Sequence, residues 1–235
     1  MESTILCYHK VGPAAEEGRR LNIEPNRLRS HVGFFSRRKY RFLRACDLSV
    51  PWTPRTVCFT FDDAYVSTMF HAPAVFEEVG ARATYYAVSG RVGKTSDWDG
   101  EAARPLADWD TLLAVQSRGH EIGNHTVNHV HLADLPIDRQ KFEIGQADAD
   151  LRSRGIVPRS FCYPYGSHNE DSVEILGHSG YGVAVALKKR LASSDDSRLS
   201  LPRIVVAYSD TLPMLLYKLF LKARIRSRKP GPPYG

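Results

Sequence analysis

Residues able to bind a metal ion and move protons crowd into three short strings of this chain. The first is T-F-D-D-A-Y, where Asp62 and Asp63 stand side by side at the exit of the apolar string V-C-F-T-F. Adjacent carboxylates at a strand end cannot share one face, so they suit two jobs: one ligates a metal while the other takes a proton from an attacking water. The second string is H-E-I-G-N-H-T-V-N-H, with His125 and His129 four apart. On a helical turn both imidazoles project from one side, and with one Asp they make a two-histidine, one-carboxylate set that leaves positions open for water and substrate. His120 and His131, nearby, read as supporting groups. The third string, S-F-C-Y-P-Y-G from Ser160 to Gly166, runs a strand into a rigid turn able to aim a backbone N–H at a developing oxyanion.

The elements that must position these strings follow from the hydrophobic pattern. Short apolar runs alternate with amphipathic segments, the pattern of an α/β fold with mostly parallel strands. Strands are expected at 4–8, 56–61, 83–88, 121–124, 160–163, 182–187 and 203–206. Helices are expected at 26–39, 72–79, 109–117, 138–154 and 172–179. About seven parallel strands fit a distorted or incomplete (β/α) barrel better than an open sheet. In either fold, functional residues collect at the carboxyl ends of the strands.

Composition narrows the class further. With 235 residues, 43% of them hydrophobic and 25% charged, the chain suits a single domain over 1–235 and excludes a disordered or collagen-like protein. No run of 18 apolar residues occurs, which excludes a spanning helix. Cys7, Cys46, Cys58 and Cys162 form no C-x-x-C pair. Such spacing, with an N-terminus that lacks a signal-peptide pattern, points to reduced thiols in a cytoplasmic protein. The net charge of +6 is uneven: residues 1–44 and 218–235 are each basic by six, and the body between is acidic by six. Basic ends suit nucleic acid, anionic lipid, phosphorylated substrates or solvent alone.

Together the three strings resemble the polysaccharide deacetylase family, carbohydrate esterase family 4 with the NodB-homology domain. The resemblance runs from Y-H-K-V at Tyr8 to L-P-R-I at Leu201. It implies a distorted (β/α) barrel and metal-dependent removal of N- or O-acetyl groups from a sugar, oligosaccharide or polysaccharide. It also implies that Asp62 is the general base, that Asp63, His125 and His129 hold one divalent ion, and that the backbone N–H of Tyr165 completes the oxyanion site. Zinc is the expected ion, with cobalt, nickel or manganese as alternatives. Tyr163, Pro164 and His168, around the same turn, are the expected substrate contacts. The partner is an acetylated amino sugar, with no nucleic acid.

The chain departs from the family pattern at three positions. Cys162 stands where many members carry an Arg that orients the catalytic Asp. Leu201-Pro202-Arg203 replaces a late L-x-H whose histidine is the general acid. Ala64 replaces the more usual Gly after the Asp pair. Arg203 is permanently charged and a poor proton donor. His9, at the end of the first strand and so on the same rim, is therefore the candidate acid, with His168 second. A deformylase-like hydrolase of a lipid-linked sugar, and a non-catalytic sugar-binding protein on the same fold, are the competing readings. Gly90 to Thr95 ends like a phosphate-binding loop, but its required first Gly would fall at Val88.

From about residue 211 a basic helix and tail are expected. Leu212, Leu215, Leu216, Leu219 and Phe220 share one face, with Lys218, Lys222, Arg224 and Arg226 in or after it. Such a helix closes the barrel or rests weakly on an anionic membrane surface, which would make the protein peripheral to the membrane.

Overall fold

The computed structural model describes residues 2–49, 52, 53 and 55–222. The chain opens with β1 (Glu2–Tyr8), β2 (Lys10–Val11), α1 (Ala14–Glu17), β3 (Asn22–Ile23), α2 (Pro25–Arg37) and β4 (Arg41–Leu43). Strand–helix units follow: β5 (Thr56–Phe61), α3 (Val66–Glu77), β6 (Thr84–Ala87), α4 (Trp109–Ser117), β7 (Glu121–Asn124), α5 (Ile137–Ser153), β8 (Ser160–Cys162), α6 (Glu170–His178) and β9 (Val183–Ala186). Short β10 (Ala192–Ser193), β11 (Leu201–Pro202) and β12 (Ile204–Val205) precede α7 (Leu212–Tyr217), which continues as a π-helical turn, Lys218–Lys222. Expected residues Arg224 and Arg226 of the basic tail lie outside the described residues.

β1, β5, β6, β7, β8 and β9 pair in parallel in that order. The ring closes through residues 201–205. Leu201 and Pro202 lie against Val185 and Ala186 of β9, while Ile204 and Val205 lie against Leu6 and Cys7 of β1. Arg203 is the residue between the two pairings, and its N–H donates to the Ala186 carbonyl at 3.0 Å. The result is a nearly closed barrel of mostly parallel strands with helices outside, as the alternating pattern implies.

Side-chain alternation along the strands decides what faces inward. In β5, Val57, Phe59 and Phe61 join the core under α2 and α3, with Leu28, Val32, Phe35, Val75 and Phe76. Cys58, Thr60 and then Asp62 point the other way. In β1, Leu6 and Tyr8 face the same outer core, which turns Ile5, Cys7 and His9 inward. All six residues of β5 are buried, the mark of a strand covered on both sides.

α3 starts at Val66, six residues before the expected Ala72. Its first turn inverts the usual polarity. Val66 and Phe70 are exposed, while Thr68 is buried, donating from Oγ1 to the His9 carbonyl and accepting from the Val11 N–H. β4, three residues long and paired only with β5, is too short to carry a recognisable alternation.

Candidate metal and catalytic site

The carboxyl ends of β1, β5 and β7 and the turn after β8 converge on one cavity of about 170 Å³, lined by His9, Asp62, Asp63, His125, His129 and Tyr165 among others. His125 and His129 do not lie on a helical turn. They follow β7 in an irregular loop in which Thr126 and His129 have φ of 66° and 55°. The loop is held from several sides. Asn124 Oδ1 accepts from the Thr126 N–H, Glu143 of α5 accepts from the Val127 and Asn128 N–H groups, and Thr126 Oγ1 accepts from the His129 N–H. The four-residue spacing therefore brings the two rings together through left-handed residues rather than through helix periodicity. Their centroids are 5.0 Å apart.

His125 Nδ1 lies 2.8 Å from the Cys162 carbonyl oxygen. A carbonyl only accepts, so Nδ1 carries the proton, and in the neutral ring the Nε2 lone pair is left facing Asp63 Oδ1 at 3.4 Å. His129 places Nε2 3.2 Å from the same oxygen, while its Nδ1 is 3.1 Å from the Tyr165 hydroxyl. Asp63 Oδ1 is buried with no hydrogen-bond partner. The His125 lone pair, the His129 Nε2 and a carboxylate oxygen thus converge on one region, and a divalent cation would satisfy all three. Burial by itself would raise the Asp63 carboxyl, but the His129 and His125 imidazoles beside it hold it well below the usual carboxylate range.

Asp62 meets a different partner. Arg203, fully buried, grips it with Nη1 2.6 Å from Oδ1 and Nη2 2.8 Å from Oδ2. The same guanidinium donates to Thr60 Oγ1 at 2.8 Å and to Cys162 Sγ at 3.0 Å. The Cys7 thiol donates to Asp62 Oδ2 at 3.4 Å. Burial pushes the Asp62 carboxyl up, Arg203 pulls it down, and the net value is about 2. Burial drives the Cys7 and Cys162 thiols well above their ordinary range. Two further groups have metal-binding spacing, Cys7–His9–Asp62 and Asp62–His125–Cys162, but both share the carboxylate that Arg203 already holds.

Backbone strain marks the same place. Asp63, Ala64, Thr126, His129 and Tyr165 are non-glycine residues in the left-handed region, as is Leu21, which also lines the cavity. Each such residue costs free energy and persists only where its surroundings over-determine it. Ala64, at φ 56°, keeps the backbone angle that a Gly would adopt without strain.

The remaining expected residues divide. His9 lines the cavity, with Nε2 4.0 Å from Asp62 Oδ2 and Nδ1 3.9 Å from Cys7 Sγ. Burial lowers its pKa, and the Asp62 and Asp63 charges oppose that. Tyr163, Pro164 and His168 are buried and do not line the cavity. Tyr163 belongs to the core with Phe161, Leu176 and Tyr181, and its hydroxyl donates to the Leu199 carbonyl at 2.8 Å. His168 stacks on the Tyr163 ring, with Nδ1 2.8 Å from the Gly166 carbonyl oxygen. Trp98, Asp99, Arg20 and Leu187 line the cavity in addition, Trp98 with its ring stacked 4.1 Å from that of His129. Arg203 as the partner of Asp62 was not foreseen either. Its sequence signal is a lone permanent charge between apolar Leu201-Pro202 and Ile204-Val205.

Known proteins resemble this chain in sequence and in fold. The sequence profile of the family described as polysaccharide deacetylase matches residues 50–184. A Bacillus subtilis (strain 168) protein assigned by name to that family, YxkH, is 23% identical over 213 residues, which are 86% of this chain and 71% of that one. A chitin deacetylase of Pestalotiopsis sp is 30% identical over 134 residues, 55% of this chain and 41% of that one. Among solved structures, the Streptococcus pyogenes deacetylase PplD, in complex with acetate, superposes with a TM-score of 0.78 at 22% identity. That match covers 93% of this chain and 98% of PplD, and it shows a shared fold.

Proposed function

The chain belongs to the polysaccharide deacetylase family, and from that premise we propose that it hydrolyses the acetamide of an acetylated amino sugar with one divalent ion, zinc by preference, held by Asp63, His125 and His129. The observation that carries the reading is the orphaned Asp63 Oδ1 facing two imidazole nitrogens, with the His125 tautomer set by the Cys162 carbonyl. Two nitrogens and one oxygen suit zinc, and cobalt, nickel or manganese fit the same donors less selectively. Such an ion supplies carbonyl polarisation and lowers the pKa of water from about 15.7 toward roughly 7.

Asp62 is the general base in this scheme. Arg203 keeps it ionised above about pH 2, always able to accept a proton, at a cost in basicity. A carboxylate has about four acceptor sites. Nη1 of Arg203 takes one on Oδ1, while Nη2 and the Cys7 thiol take both on Oδ2. The site left open on Oδ1 receives the proton of the attacking water. The Tyr165 N–H, fixed by a turn with φ 59°, donates to the oxyanion. His9 protonates the leaving amine from the same rim. With Tyr163, Pro164 and His168 outside the cavity, Trp98 and the Tyr165 ring supply the flat faces that meet the sugar.

Metal content and acetate release from acetylated chitooligosaccharides test the reading together. The protein should hold one ion per chain and release acetate, and His125→Ala should lose both. Full metal retention by His125→Ala would remove the ligand assignment, and a metal-loaded protein inert on a panel of acetylated sugars would remove the activity. His9→Gln should fold and bind metal yet lose roughly 10²–10⁴ in kcat. A near-normal rate would dismiss His9.

A further inference from the structure

α7 and the π-helical turn that extends it present apolar side chains on two faces. Leu215 and Leu219 are buried in the core that also holds Leu28, Val32 and Phe35 of α2. Met214, Tyr217, Phe220 and Leu221 are 44%, 51%, 39% and 58% exposed. Packing against α2 therefore uses one face only. Met214, Tyr217 and Leu221, spaced three and four apart, form a stripe on the other. Scattered exposed apolar residues are ordinary, but four within eight residues of one helix are a contiguous surface.

The charge beside this stripe has one sign. Lys218 is engaged by Asp210, but Lys222 is exposed. The sequence then adds Arg224, Arg226, Arg228 and Lys229, with no acid after Asp210. α7 starts beside the first turn of α2, where Arg27 donates to the Tyr208 carbonyl, and packs along that helix. Arg37, Arg38 and Lys39, at the end of α2, are exposed as well.

We propose that this face rests on an anionic lipid surface, with the stripe at the headgroup–acyl boundary and the cations over the lipid phosphates. An apolar stripe bordered by cations matches that surface in both respects. A nucleic acid would meet the cations and leave the stripe in water. A second copy of the chain would cover the stripe but bring two basic tails together. The inference does not depend on the deacetylase reading.

Co-sedimentation of the full chain with vesicles decides it, using phosphatidylcholine alone or mixed with phosphatidylglycerol. Binding should require phosphatidylglycerol and weaken in high salt. A Met214→Ser, Tyr217→Ser, Leu221→Ser variant and an Arg224→Glu, Arg226→Glu, Arg228→Glu variant should each reduce the bound fraction by about tenfold or more. Their Tm should match that of the parent; if the serine variant unfolds, the charge variant decides alone. Equal binding to pure phosphatidylcholine, undiminished binding by a folded variant, or a dimer in solution that the serine variant dissolves would overturn the proposal.

Discussion

Asp62 and Asp63 are the same residue type, adjacent in sequence and both buried, yet their surroundings are opposite. Asp62 is enclosed by donors: a bidentate guanidinium and a thiol. Asp63 directs a bare oxygen at two imidazole nitrogens. The first carboxylate has its countercharge built into the fold, whereas the second faces two imidazoles. Burial pushes both carboxyls up, so burial does not distinguish them; the neighbour that opposes it does, Arg203 at Asp62 and the His129 and His125 imidazoles at Asp63.

Exchanging each carboxylate for its amide breaks this pairing most sharply. Asp62→Asn should retain metal and lose roughly 10²–10⁴ in kcat, the scale of a proton-transfer group. Asp63→Asn should lose metal itself, read by elemental analysis after dialysis. Equal metal loss in the two variants would erase the distinction.

Removing the fixed countercharge comes next. Arg203→Met leaves Asp62 buried without its partner and should cost about 3–5 kcal/mol of folding stability in denaturant titrations. A cost near zero would mean that water already reaches Asp62.

Acid sensitivity sharpens the comparison further. His31 is lowered by burial from its usual value to about 4, and His120 likewise to about 4. Between pH 6.5 and 4 the unfolded chain binds more protons at these sites, so stability should fall as pH drops, by roughly 3 kcal/mol for each fully buried ring. Asp62, depressed to about 2, contributes stability that is intact above its unfolded pKa of about 3.9 and is lost only as pH falls toward 2. A profile of Tm against pH for the parent and His31→Gln checks this: the variant should be flatter between pH 6.5 and 4 and unchanged in slope below. The smallest effect is at Ala64. Ala64→Gly relieves a left-handed alanine beside Asp63 and should raise stability by about 1 kcal/mol.

What could be read beforehand follows physical lines. Thr56–Phe61, Trp109–Ser117 and Glu121–Asn124 have the expected limits to the residue, because each is an apolar run or helical stripe cut off by charge, Gly or an abrupt polar cluster. The three site strings were legible because each lies at the end of one strand, so local sequence and spatial neighbourhood coincide. Arg203 was not, because its link to Asp62 exists only once β9 and β1 are bridged by residues 201–205. Tyr163 and Tyr165 look alike on paper. β8 and the left-handed turn send the first ring into the core beneath α6 and the second to the cavity.

The same bridging has a consequence for the order in which the molecule assembles. Arg203 and Asp62 are 141 residues apart along the chain, and joining such distant segments is entropically expensive and slow relative to neighbouring contacts. The link from residues 201–202 to β9 is short-range, while the link from 204–205 to β1 joins a late segment to the first strand. Sheet pairing from β5 through β9 can proceed in chain order during synthesis, before the last strand exists. Asp62 therefore spends the early life of the polypeptide without its countercharge, in a sheet still open to water. Sealing the barrel and pairing Asp62 with Arg203 are one event, and it happens when residues 201–205 reach the first strand.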